Sequence, residues 1–169
     1  MSEIRLYENI DAGSRKDPEP EYFQSYVVAD PAGVGNPFVL RDPAAQTDAY
    51  QSQYITWDTV NNWIEIAASG LYHIVADITM EDAGGTDSLA FELYDVNAIA
   101  VLATAIAFGD GANGARVHLE YDLVVTDAYI TANTSYDLQF LELRQDTNST
   151  TVADSQITVK RLNLIAKIV

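Results

Sequence analysis

The sequence predicts an all-β protein in which two antiparallel sheets pack into a sandwich, behind an extended N-terminal arm. From residue 50 onward, apolar and polar residues alternate with a period of two, the repeat of a strand with one buried face. Clusters of glycine, aspartate, asparagine, serine and threonine separate these runs, as turns between strands require. All five prolines lie at or before residue 43. The predicted organisation is an arm over residues 1–49 and a sandwich domain over residues 50–169.

Five segments carry the strand prediction. Four of them have apolar residues at every second position: residues 72–78, 89–93, 117–123 and 136–140. Residues 98–108 are apolar throughout and fit a helix by propensity. We predict a strand there, because glycine-containing turns flank the segment and the neighbouring pattern is β.

The last predicted strand changes the parity of its apolar residues. Ile157 and Val159 occupy alternate positions, but the series continues at Leu162 and Leu164. One extra residue after Val159 restores the inward face, so we expect a β-bulge near Lys160.

The predicted arm carries aromatic and apolar residues that a solvated linker does not need. We predict that five of them are assembly contacts: Tyr22, Phe23, Tyr26, Phe38 and Leu40. The surface that they cover can be the arm's own domain, a neighbouring subunit or a scaffold such as a capsid lattice. The sequence leaves these three possibilities open.

Charge limits the partners of this chain. Asp and Glu number 25 against nine Lys and Arg, so the formal net charge at pH 7 is −16. Such a charge repels nucleic acid phosphates and anionic membranes, and we expect neither as a partner. A hydrophobic fraction of 48% predicts a folded chain that carries its acidic residues on the surface. The acidity suits a saline habitat, where salt screens the repulsion, and is equally compatible with ordinary surroundings.

The N-terminal segment and the composition bear on localisation. Residues 1–13 carry charges and lack the apolar stretch of a signal peptide, and no later run is long enough to span a bilayer. Cysteine is absent, which excludes catalytic thiols and thiolate metal sites. We therefore expect a protein made in a cytoplasm.

Few residues are suited to chemistry. His73 and His118 are the only histidines, and each lies on the polar face of a predicted strand. If these strands are neighbours, the two side chains could bind a metal ion with Asp77, Glu120 or Asp122. Plain surface residues or subunit contacts have the same sequence pattern. No carboxylate pair is singled out for glycoside hydrolysis, and we predict no catalytic residue, no metal site and no cofactor.

Aromatic residues are the candidates for ligand contacts. Trp57 shares the parity of Ile55 and is predicted to lie in the core. Trp63 follows two asparagines in a predicted loop and is the better candidate for a ligand contact. Tyr94 and Tyr129 have the exposed parity, and with the tryptophans they could form a stacking surface for sugars or a protein partner.

Residues 54–80 resemble the opening of the jelly-roll domains shared by the complement globular heads, the tumour necrosis factors and many bacteriophage fibre and head-decoration proteins. In those domains an asparagine-containing loop leads to the pattern I-x-x-x-G-x-Y-x-(V/I/F), which Ile66, Gly70, Tyr72 and Ile74 match. The resemblance implies that Gly70 makes a turn and that Tyr72 fills the core. It continues in residues 116–124, 131–140 and 157–164.

The resemblance also implies a function and an assembly. Domains of this kind are typically trimers, so a homotrimer is expected. Together with the missing active-site pattern, the resemblance predicts a structural virion protein, a capsid decoration (cement) protein of a tailed virus. Its arm would anchor it at the virion surface to the major capsid protein or another virion protein. The alternative is a receptor- or glycan-binding tip domain of a tail fibre or spike, with Trp63 as a contact.

Overall fold

A computed structural model describes residues 21–29, 35–40, 42–43, 49–81, 88–108, 115–144, 150–151 and 155–162. Within them, nearly all regular structure is strand. The strands are β1 (Tyr22–Ala29), β2 (Val39–Leu40), β3 (Ile55–Asp58), β4 (Trp63–Ile66), β5 (Gly70–Glu81), β6 (Ser88–Asp95), β7 (Ala100–Phe108), β8 (Ala115–Val125), β9 (Tyr136–Arg144), β10 (Thr150–Thr151) and β11 (Gln156–Leu162), with one short helix, α1 (Asp127–Asn133), before β9.

The first sheet is built around β5. β8 pairs with β5 from Gly70 to Met80 on one side, and β11 pairs with it on the other side. β1 continues the sheet beyond β11, and β2 pairs with the end of β1. β10 pairs with the last two residues of β5. All of these pairings are antiparallel, as the alternating pattern predicts.

The second sheet has the strand order β3-β4-β9-β6-β7, and its pairings are also antiparallel. A short segment before β2 links the two sheets, because the backbone N–H of Phe38 donates to the carbonyl oxygen of Phe140 in β9 at 2.9 Å. β7 and β8 are edge strands of the two sheets and lie next to each other. These pairings confirm the predicted two-sheet antiparallel sandwich, including the strand predicted over residues 98–108.

The inward faces of the strands form one core. On β5 the predicted inward series is confirmed, since Tyr72, Ile74, Ala76 and Ile78 are all fully buried. The same parity holds on β6, β8 and β9, where alternate residues are buried. This continuous apolar layer between the sheets supplies the main favourable term in folding.

The first strand lies inside the sandwich rather than in a separate arm. β1 pairs with β11 through five residues, and Phe23 is fully buried in the core. Phe38 and Leu40 are 2% and 4% exposed in the same core. The predicted boundary near residue 49 is therefore corrected for the described part of the arm. The prediction placed the prolines outside the sheets. Pro37 instead pairs with Leu141 in an isolated bridge, which needs no N–H from proline. Residues 1–20 lie outside the described residues.

One local prediction is wrong, and one element was not predicted. β11 stays in register with β5 through Leu162, so the bulge expected after Val159 is not present. The inward position at the end of the strand is occupied instead by Arg161, which forms an ion pair with Glu21 and donates to the carbonyl oxygen of Ser69. The element that the sequence did not predict is α1, in which no residue is fully buried and only Tyr129 and Ile130 pack against the core. Its local signal is the N-cap Thr126, whose side chain accepts from a backbone N–H in the first turn.

The predicted role of Tyr72 in the core is confirmed, whereas Gly70 is the first residue of a strand rather than part of a turn. Gly70 begins β5 two residues after a bend at Ala68, and a Cβ placed on it would lie 2.8 Å from Nε of Arg161. The Tyr72 hydroxyl donates to the carbonyl oxygen of Ala68 at 2.7 Å. Burial raises the pKa of Tyr72 to about 12, so the phenol stays protonated and keeps this hydrogen bond at neutral pH.

Candidate functional site

The outer face of the first sheet brings both histidines together with three carboxylates. His73 and Asp77 lie on β5, and the register places them opposite Asp122 and His118 of β8. Glu120 lies between these two pairs on β8. We call these five residues the histidine–carboxylate cluster. The strands that carry the histidines are thus neighbours, which was the condition for a shared site.

Hydrogen bonds fix the geometry of the histidine–carboxylate cluster. Nδ1 of His73 is 2.8 Å from Asp122, and Nδ1 of His118 is 3.0 Å from Asp77. The carboxylate of Glu120 lies 3.5 Å from Nε2 of His73 and 3.8 Å from Nε2 of His118. The hydrogen bond that His118 donates to Asp77 raises the pKa of His118 and favours its charged form. Each histidine is thus engaged with carboxylates on both ring nitrogens.

This arrangement is a surface ion-pair network. Among the residues that the structure describes, no group of three or more His, Asp or Glu side chains is placed to hold a metal ion. The carboxylate of Asp77 also forms an ion pair with Arg116, at 3.3 Å. The side chains are largely solvated, with His118 and Glu120 exposed by 55% and 61%. Exposed pairs of this kind contribute little to stability.

The structure separates the five predicted assembly contacts into two groups. Phe23, Phe38 and Leu40 lie in the chain's own core, so the predicted role in assembly is corrected for them. Tyr22 and Tyr26 lie on the outer face of the first sheet, and Tyr22 stacks on Tyr50 with ring centroids 4.2 Å apart. The sequence left three surfaces open for these contacts. Phe23, Phe38 and Leu40 pack against the chain's own domain.

The outer face of the second sheet carries the predicted ligand contact. Trp63 on β4 lies opposite Asp58 of β3, and its other neighbour, by continuation of the β4–β9 register, is Gln139. Gln139 in turn lies opposite Tyr94 of β6. Trp63, Gln139 and Tyr94 therefore form a line across three adjacent strands, which we call the aromatic row. All three side chains are half-buried.

The remaining predicted aromatic contacts lie elsewhere. Trp57 faces inward and packs against the core, 6.4 Å from the ring of Phe23, as predicted. Tyr129 lies on α1, with its ring 4.6 Å from that of Tyr136 and its hydroxyl 3.4 Å from Asp95. Desolvation raises the pKa of Tyr129. Tyr129 is therefore part of the packing of α1 on the sandwich, at a different place from the aromatic row.

Sequence reasoning missed Gln139 and a set of exposed aliphatic residues. Gln139 lies at a polar strand position, and only the strand order places it between Trp63 and Tyr94. The exposed aliphatic side chains include Val101 and Ile106 on β7 and Val124 on β8. Their signal is visible in the sequence of β7, where no residue is charged.

Comparison with known proteins shows a likeness of fold. The globular domain of the zebrafish complement 1qA protein matches with a TM-score of 0.53 and 10% identity, over 86% of this chain and 98% of that domain. The structure of Eiger TNF from S. frugiperda matches with a TM-score of 0.52 and 14% identity, over 85% of this chain and 93% of its own. No family model and no curated protein matches the sequence. The predicted jelly-roll fold is confirmed, and its likeness to the folds of a complement globular domain and a TNF is the one that the sequence suggested.

In the part of the chain that the structure describes, no helix has the length and apolar character needed to cross a membrane.

Proposed function

We propose that this jelly-roll protein is a non-catalytic structural protein that assembles as a homotrimer and decorates the capsid of a tailed virus. The observation that carries the proposed assembly is a set of exposed aliphatic side chains on β7 and β8, the adjacent edge strands of the two sheets. Val101 and Ile106 on β7 are 49% and 50% exposed, and Val124 on β8 is 67% exposed. Aliphatic residues on two adjacent edge strands are typical of a contact between proteins.

A second copy of the chain is the partner that this surface fits best. The chain carries a net charge of −16, so most orientations of two copies bring carboxylates together. β7 has no charged residue, and its contact with another copy avoids this repulsion. A heterologous contact that closes after three copies gives a trimer, which is also what the superfamily resemblance implies.

The trimer is tested by charging β7. Light scattering after gel filtration is expected to give the mass of a trimer for the wild-type chain and of a monomer for Val101→Asp combined with Ile106→Asp. Val60→Asp is the matched control, because Val60 is 84% exposed in the turn between β3 and β4 and lies off this surface. A monomeric wild-type chain, or a trimer that survives both charges, contradicts the proposal.

The same proposal includes attachment of this protein to the virion surface. Residues 1–20 precede the first strand of the sandwich, and we assign to them the attachment to the major capsid protein or another virion protein. Deletion of residues 1–20 tests this assignment, whereas a longer deletion would remove β1 and Phe23 from the core. We expect the shortened chain to keep its circular dichroism spectrum and to stop sedimenting with virus particles. Undiminished attachment would rule out this anchor.

The alternative is a receptor- or glycan-binding tip domain of a tail fibre or spike. Its support is the position of Trp63, half-buried on the outer face of the second sheet rather than in the core. Labelling of particles distinguishes the two roles, since a decoration protein covers the capsid and a tip domain labels the tail.

A further inference from the structure

The aromatic row combines two rings and an amide in a geometry suited to a sugar. Trp63 and Tyr94 lie on strands separated only by β9. Adjacent strands are about 4.8 Å apart, so the two aromatic positions are roughly 10 Å apart. This distance is about the length of a disaccharide, and each ring can stack against the apolar face of one pyranose.

The rings are not used elsewhere. Among the described residues, neither Trp63 nor Tyr94 packs on another aromatic ring, whereas Tyr22, Phe23 and Phe38 each do. The indole N–H of Trp63 is buried without a hydrogen bond of ordinary geometry. Hydrogen bonds from Asn61 are the main cause of the lowered pKa of Asp58, and the nearby indole N–H adds a smaller effect in the same direction. The edge of the indole is therefore held against the protein.

The amide between the rings is oriented by the protein. Nε2 of Gln139 donates to the carbonyl oxygen of Asn61 at 2.9 Å. This hydrogen bond fixes the side chain and leaves the amide oxygen to accept from a ligand hydroxyl. The turn that precedes β4 thus positions the centre of the aromatic row.

Carboxylates surround the aromatic row and select the charge of its ligand. Glu92 lies two residues from Tyr94 on the same face of β6, and Glu65 lies two residues from Trp63 on β4. The described side-chain hydrogen bond of Glu65 comes from the neutral hydroxyl of Thr56, at 3.3 Å, and leaves the negative charge of the carboxylate uncompensated by that partner. Carboxylates accept hydrogen bonds from sugar hydroxyls and repel acidic sugars.

We propose that the aromatic row of Trp63, Gln139 and Tyr94 is a binding site for an uncharged oligosaccharide of at least two pyranose rings. The two aromatic rings stack on successive sugars, Gln139 accepts from a hydroxyl between them, and the flanking carboxylates exclude sialic and uronic acids. The site lies within one chain and does not depend on attachment to a capsid, although Val101 of the proposed trimer contact is the cross-strand neighbour of Tyr94 at one end of the aromatic row. It would serve a decoration protein and a fibre tip alike.

The test is binding of the full chain to an array of uncharged and acidic oligosaccharides, followed by calorimetry with the uncharged glycan that binds best. Trp63→Ala and Tyr94→Ala are each expected to lower the affinity roughly ten-fold or more. Trp63→Phe keeps a ring and is expected to retain much of the affinity. Tyr26→Ala is the matched control, because Tyr26 is a half-buried tyrosine on the opposite outer face. Thermal melting shows that each variant is folded.

Four results would overturn the proposal. They are the absence of any uncharged glycan ligand, a preference for acidic glycans, unchanged affinity in folded Trp63→Ala and Tyr94→Ala, and an equal loss in Tyr26→Ala. Binding of single monosaccharides with the full affinity would contradict the two-ring geometry.

Discussion

Replacement of Phe23 by alanine tests whether the first strand is part of the core. The Phe23 side chain is fully buried on β1 and packs near the ring of Trp57. Truncation of a buried phenylalanine removes its transfer free energy and leaves a cavity, which together cost about 3–5 kcal/mol. For a chain of this size, each kcal/mol lowers Tm by about 2–4 °C, so Tm is expected to fall by roughly 6–20 °C. Urea unfolding measures the loss, with tryptophan fluorescence as a local probe.

Tyr26→Ala is the control for Phe23→Ala. Tyr26 lies on the same strand with the opposite parity and is half-buried, so its truncation is expected to cost about 1 kcal/mol. If residues 22–29 were an arm outside the sandwich, both substitutions would have equally small effects. A Phe23→Ala variant that unfolds within about 1 kcal/mol of the wild type would refute the placement of β1 in the core.

Three further predictions concern backbone and charge. Ile99 has a φ of 54° and is 78% exposed, so Ile99→Gly is expected to relieve a left-handed conformation and raise the free energy of unfolding by about 1 kcal/mol; a loss in urea unfolding would refute this strain. Gly70→Ala places a Cβ 2.8 Å from Arg161 and is expected to cost about 1–3 kcal/mol, and an unchanged melting curve would show that the side chain moves freely. The pKa of His118 is raised above its usual 6.5, so its contribution to stability is complete below that pH and is lost as pH rises through the folded-state pKa. An NMR titration should give a lower pKa for His118 in Asp77→Asn, and an unchanged pKa would exclude the hydrogen bond as the cause.

Much of the fold follows from local sequence pattern. The period of two over β5, β6, β8 and β9 predicted both their existence and their inward residues, because only one parity can face an apolar core. The resemblance around Gly70 and Tyr72 predicted the jelly-roll and the burial of Tyr72. α1 was missed because a helix of seven residues, with only Tyr129 and Ile130 packed against the core, is too short to show an apolar period.

The candidate sites depended on contacts between distant segments. The sequence indicated that His73 and His118 are polar-face residues, but the β5–β8 register decided that they share one cluster of carboxylates. Trp63 was identified as a contact candidate, whereas its alignment with Tyr94 required β9 to pair between β4 and β6. Strand order is set by non-local pairing, and the alternation of a single strand carries no information about its neighbours.

The sequence by itself determined that this chain is an acidic, all-β sandwich with uncharged β7 and without cysteine chemistry. Hydrophobic period and composition act locally, so they can be read from one strand at a time. The tertiary structure decided that Phe23, Phe38 and Leu40 fill the chain's own core. An apolar cluster has the same sequence whether it is buried by its own domain or by a partner. The pairing of β1 with β11 and the packing of these side chains in the core distinguish burial in the chain's own domain from burial against a partner.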